Sequence, residues 1–192
     1  MSDAQPRKKL TSLWLIIALA VAPVAASYLL YYFWQPEGAR VNYGRLIGPH
    51  PLSDPSLALA DGAPFRLSQL RGKWLLVSWD GAACDAGCDR KLLYMRQLRL
   101  TQGKNADRVE RVWLVSDDAA PADGIAARYE GTWIVRARGT GLIDEFSTQK
   151  AERDHIYLVD PLGNLMLRFP SNPDPRLMIK DLSRLLKASQ IG

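Results

Sequence analysis

The sequence predicts a three-layer α/β sandwich carried behind one membrane-spanning helix, and three observations predict it. A long stretch near the amino end has no charge; apolar runs of strand length then alternate with helical patterns; and the alternation ends in a hairpin and a last helix. The 192 residues hold one ordinary domain plus an anchor, not two full domains. With 47% hydrophobic residues a core can pack, which excludes a collagen-like or wholly disordered chain. Two cysteines are too few for a disulfide-stapled mini-protein or a four-thiolate zinc module. A net charge of +5 admits nucleic acid or membrane as a partner, and the position of the charges decides between them.

The first element is the anchor. Leu13 to Trp34 carries no charged residue, and at 1.5 Å per residue it reaches roughly 33 Å, enough for a hydrocarbon core of about 30 Å. Pro23 is tolerated inside such a helix. Trp14 near one end, and Tyr28, Tyr31, Tyr32 and Trp34 near the other, suit the two interfacial belts. Arg7, Lys8 and Lys9 precede the segment, so residues 1–12 are expected to stay cytoplasmic, residues 13–34 to cross, and the rest to face the periplasm of a bacterial inner membrane in single-pass topology. The competing reading is a cleavable signal peptide with a site near Val24-Ala25-Ala26; the apolar run continues past Ala26, which favours the uncleaved anchor.

Residues 35–60 are expected to form a tether, since Pro36, Pro49, Pro51 and Pro55 interrupt any long regular element. His50 lies here between two prolines; a surface histidine is the plain expectation and an auxiliary metal ligand the sharper one. The folded domain is expected over residues 61–192. WLLVSWD (74–80) reads as a buried central strand bounded by turn chemistry. Cys88 to Gln102 reads as a helix with Leu92, Met95, Leu98 and Leu100 facing the core, and Arg90, Lys91, Arg96 and Arg99 on a solvated face or an acidic-partner surface, closed by Gly103. Val109 to Asp117 is a second buried strand; Pro121 to Tyr129 is a short helix; Trp133 to Arg136 is another strand; Leu142, Ile143 and Phe146 mark a further helix. His155 to Asp160 and Asn164 to Phe169 pair as a hairpin through Pro161-Leu162-Gly163. Asp174 caps a last helix starting at Pro175, whose buried face is Met178, Leu182, Leu185, Leu186 and Ala188.

The chemistry concentrates on Cys84, Cys88 and His155. The cysteines, four apart, follow a central strand and open the next helix, the end of an open α/β sheet where reactive groups collect. A helix amino terminus favours negative charge and so populates thiolate, the form that binds metal or attacks a disulfide. Two buried hydrophobes or a static structural disulfide are the plain alternatives. His155 opens the hairpin strand, a position where a surface or capping histidine is common. Two thiolates and one imidazole form a donor set suited to copper in either oxidation state, and to zinc. Asp154 or a backbone carbonyl can orient the ring.

Gly72-Lys73 before the first central strand, the Cys84-x-x-x-Cys88 pair, Ser116-Asp117-Asp118 after the second, and Asp154-His155 ahead of Tyr157-Leu158-Val159-Asp160-Pro161-Leu162-Gly163-Asn164 together resemble the Sco/SenC family. The resemblance covers about residues 61 to 190. Asp89 stands where family members usually carry proline, which marks a divergent member. The resemblance implies a thioredoxin-like, membrane-anchored copper protein that helps assemble the copper centre of cytochrome c oxidase. Cys84 and Cys88 would be thiolate ligands and a redox pair, and His155 the imidazole ligand, of one Cu(I) or Cu(II) ion. The expected partner is an oxidase subunit or another copper chaperone. It further implies a metallochaperone rather than an enzyme, with thiol–disulfide reduction of target cysteines as a possible activity.

Two other classes stay open. A periplasmic thiol–disulfide oxidoreductase without a stable metal site is one; the three-residue spacer and the lack of any proline from Ala122 to Tyr157 count against it. A non-catalytic tethered domain with a plain disulfide is the other. Nucleic-acid binding is disfavoured by the expected compartment and by the lack of aromatics interleaved with a basic run. No phosphate loop, serine elbow or carboxylate metal cluster occurs in the sequence.

Overall fold

The computed structural model describes residues 6–33, 42–146, 152–189 and 191. Trp34 and Pro36, both used above, lie outside them, as do residues 1–5 of the expected cytoplasmic tail. Two compact units divide the chain, Met1–Val41 and Asn42–Gly192. In the first, helix α1 runs Pro6–Phe33 and carries Pro23 inside it. Its stretch Thr11–Tyr32 is long and apolar enough to cross a membrane, and none of it is buried. A signal sequence passes the same test of length and composition.

In the second unit, eight strands form one sheet in the order β1-β8-β7-β4-β5-β6-β2-β3. Its centre is β4 (Trp74–Asp80), parallel to β5 (Val109–Val115), itself parallel to β6 (Thr132–Arg136). On the other side of β4 the hairpin β7 (Tyr157–Val159) and β8 (Asn164–Arg168) adds antiparallel strands. The expected parallel start and antiparallel finish is therefore present. The hairpin turn closes with the Gly163 amide donating to Asp160 O at 3.0 Å, Gly163 taking φ +93, and the Asp160 carboxylate accepting from Leu162 and Asn164.

Strands with both faces covered separate two core layers. Leu76, Trp113, Leu158, Leu92, Met95, Leu98, Met178 and Leu182 lie in one, under helices α2 (Ala86–Leu100) and α5 (Pro175–Ala188). Leu75, Val77, Leu114, Tyr157, Phe65 and Phe146 lie in the other, which includes the short helix α4 (Leu142–Phe146). A short helix α3 (Ile125–Arg128) precedes β6.

Several local expectations shift. Helix α2 starts at Ala86, two residues early, because Asp85 caps it by accepting from the Gly87 and Cys88 amides, both at 3.0 Å. Leu100 is 60% exposed; at 100° per residue it lies about 80° round from Leu92, off the buried stripe. Lys91, expected on the solvated face, is buried. On α5, Ala188 is exposed and Asp181 is buried instead, accepting from the Gly44 amide at 2.8 Å. The described part of the proline-rich tether also joins the sheet. β1 (Arg45–Pro51) pairs β8 with a register shift between Leu46 and His50, and β2 (Leu57–Leu59) joins β6 and the short β3 (Pro64–Phe65). Prolines 49 and 51 are compatible with β1 because it is the sheet edge, where a missing N–H leaves no ladder bond unmade.

Candidate thiol and metal site

The site begins where β4 ends. The Asp117 carboxylate, just past β5, accepts from the Ala82 amide at 3.1 Å and from the Ala119 amide at 3.1 Å. It fixes the loop between β4 and α2 and requires glycine at 81, where a Cβ would meet Asp117 Oδ2 at 2.7 Å. Cys84 follows with φ +45, the only non-glycine residue among those described in the left-handed region. Such a backbone is held only where its surroundings over-determine it, and it is commonest at functional sites.

Cys84 and Cys88 are joined as a disulfide, with Cα atoms 5.0 Å apart. Cys88 is buried on the first turn of α2 against the core, while Cys84 is half-buried ahead of the helix. Because Cys84 precedes α2 and Cys88 lies on its first turn, the pair closes a small ring across the loop-to-helix junction. Cys84 is the more accessible cysteine of the two.

His155 is half-buried just before β7. Its Nδ1 lies 2.6 Å from Phe169 O, and since a carbonyl only accepts, Nδ1 carries a proton, which in the neutral ring puts the lone pair on Nε2. That tautomer presents Nε2 as the nitrogen able to ligate a metal. The ring stands edge-on to Tyr157 with centroids 6.3 Å apart. No group of three or more His, Cys, Asp or Glu side chains placed to hold a metal occurs among the described residues. The structure joins the two cysteines to each other. His50 lies in β1 with Nδ1 3.1 Å from Gly48 O.

Behind the cysteines is a charge cluster that no motif announced. Asp80, the last residue of β4, is buried; its Oδ2 is 2.6 Å from Lys91 Nζ and its Oδ1 2.9 Å from Arg153 Nε. Lys91 also donates to Trp79 O at 3.2 Å and to Arg153 O. Burial pushes the Asp80 carboxyl above its ordinary value against the pull of Lys91 and Arg153, and burial pushes the Lys91 ammonium down against the pull of Asp80. Arg153 reaches on to Asp85. The Cys88 amide and Arg153 together hold the Asp85 carboxyl below its usual range. On the far side of α2, Tyr129 donates to Asp89 Oδ1 at 2.8 Å and Arg128 to the same oxygen at 2.9 Å. Lys91 had a sequence signal: it falls in phase with Cys88, Met95 and Leu98, inside the apolar stripe.

A family profile described as transmembrane-like, thioredoxin-like, C-terminal domain matches residues 74–189. The chain belongs to this family. Its fold is shared with solved Sco proteins. The crystal structure of yeast Sco1 with copper bound superposes with a TM-score of 0.63 at 14% identity, covering 74% of this chain and 96% of that one. The copper-bound ScoI of Bradyrhizobium japonicum gives 0.55 at 18% identity, covering 70% and 99%. A thiol:disulfide interchange protein of the thioredoxin family from Chlorobium tepidum gives 0.53 at 19% identity, covering 74% and 97%. At these identities the likeness is one of fold, which is the thioredoxin-like sandwich the sequence predicted. No curated protein matches the chain.

Proposed function

We propose that this protein is a membrane-anchored thiol protein that binds copper and serves assembly of the copper centre of cytochrome c oxidase. One observation carries the reading: two cysteines bonded across the start of a helix that leaves the central strand, on the fold of copper-bound Sco proteins. In the dithiol form Cys84 and Cys88 offer two soft sulfurs to copper as cargo, and His155 Nε2 is the third donor. The helix N-terminus favours the thiolates. The Phe169 carbonyl holds the imidazole in the tautomer that leaves Nε2 as donor. In the disulfide form both sulfurs are withdrawn, so oxidation state gates metal binding.

The same pair supports thiol–disulfide exchange with a partner. The Cys84 thiolate attacks a target disulfide, one target sulfur leaves as thiolate, and Cys88 then attacks Cys84 to release the second. Two electrons pass to the target, and the pair ends oxidised. This exchange without a stable metal site is the second reading, favoured by the bonded state of the pair. Arg7, Lys8 and Lys9 support an inner-membrane anchor with the sulfhydryl domain on the periplasmic side. The partner is then an oxidase subunit or a second copper chaperone, and the protein is a metallochaperone before it is an enzyme.

Copper titration of the reduced full-length chain in detergent tests this. One copper ion per chain is expected, with His155→Ala weakening binding by about 10-fold or more while unfolding is unchanged. No uptake, together with efficient reduction of a disulfide substrate, would replace the copper reading with the exchange reading.

A further inference from the structure

The charge cluster behind the cysteines is built around one residue far from them in sequence. Arg153 lies on the single turn Glu152–Asp154 that leads into His155. Its guanidinium spans two carboxylates, pairing with Asp80 at the end of β4 through Nε at 2.9 Å and with Asp85 through Nη2. Its own carbonyl accepts from Lys91, on the second turn of α2. Main chain and side chain of Arg153 are therefore both fastened to the segment that carries Cys84 and Cys88. Asp85 is divided between the two tasks: Oδ1 accepts the Gly87 and Cys88 amides, and Oδ2 takes Arg153.

We propose that Arg153 is a positioning residue: it clamps the turn bearing His155 to the amino end of the cysteine helix, and so sets where the imidazole stands relative to the two sulfurs. The proposal rests on the copper reading above for its use, but the clamp itself does not require metal. A planar fork suits the role, because it engages two carboxylates in fixed directions, which an ammonium cannot do. Lys91 supplies the counterpart from below. One buried carboxylate facing two cations means that Asp80 keeps a partner when Arg153 is removed, so the sheet and helix survive its loss.

The test uses the full-length chain in detergent and three variants. Arg153→Met removes the fork; Arg153→Lys keeps one charge; Asp85→Asn keeps the helix cap but removes the outer carboxylate charge. In the reduced, metal-free protein, amide exchange at residues 153–156 is expected to quicken about tenfold in Arg153→Met, with β5 and α5 unchanged. Arg153→Lys and Asp85→Asn are expected to fall between Arg153→Met and the parent. After loading with copper, the absorption and paramagnetic-resonance signature of Arg153→Met is expected to match that of His155→Ala rather than the parent. Unchanged exchange at 153–156, or a parent-like copper signature in Arg153→Met, overturns the clamp. If the parent protein takes up no copper, the proposed function fails on that result, and the exchange measurement alone still decides for or against the clamp.

Discussion

At the scale of single residues, the neighbourhood of the cysteines is governed by side chains whose charge is shared rather than exposed. Tyr129 illustrates it. Burial, with the hydrogen bond to Asp89, pushes its hydroxyl from 10.0 up to about 12. A raised folded value means the protonated phenol is favoured by the fold. Its contribution is complete below the unfolded value and disappears as pH climbs from about 10 toward about 12. Tyr129→Phe should lower stability by about 1.5–3 kcal/mol at neutral pH, through a lost hydrogen bond to a charged group. It should also flatten the alkaline limb of the stability curve. Denaturant melts at pH 8 and above pH 10 check both; an unaltered alkaline limb would show that Tyr129 does not couple folding to that ionisation. Asp89 occupies the position after the second cysteine, and its carboxylate is committed to Tyr129 and Arg128 at the base of α2. That commitment gives a physical role to the residue that follows the second cysteine.

At the scale of elements, burial pattern made the regular structure readable, while long-range polar contacts stayed hidden. WLLVSWD, the second strand and the hairpin have patterns that only a buried or paired strand satisfies, and they formed within a residue or two of expectation. The tether was misleading because proline density marks interrupted chain, yet an edge strand tolerates prolines that a central one does not. The pair Cys84 and Cys88 was legible from spacing and context. The meeting of Asp80, Lys91 and Arg153 was not, because it depends on a turn whose Arg153 lies 62 residues beyond Lys91. Asp181 is a similar case: an acidic residue on the buried face of α5, accepting the amide of Gly44 from the segment ahead of β1. Asp181→Ala leaves that buried amide without its acceptor and should cost about 1–3 kcal/mol. Because the contact fastens the entry of β1, amide exchange along Arg45–Pro51 should accelerate before that of β4; uniform acceleration would mean α5 itself had loosened.

At the scale of the whole molecule, the question is what the apolar helix does once the chain is made. Two compact units, Met1–Val41 and Asn42–Gly192, divide the labour, and the second contains the entire sheet together with both cysteines. On the proposed function, a copper carrier tethered beside a membrane-embedded acceptor gains from confinement, since tethering raises the effective concentration of the encounter. The small residues at Val24-Ala25-Ala26 would suit a cleavage site, but Ser27 to Tyr32 remain helical and apolar beyond it, continuing the span Thr11–Tyr32. A signal peptide's apolar region is about 7–15 residues, shorter than this one. The mature protein should therefore keep residues 13–34, resist extraction by alkaline carbonate, and give an intact mass that includes the anchor. Protease added to spheroplasts should degrade the domain while sparing the amino tail, as three basic residues ahead of the span require. A mature chain beginning near Ser27, recovered in the soluble periplasmic fraction, would turn the tethered carrier into a diffusible one and remove the membrane from its mechanism.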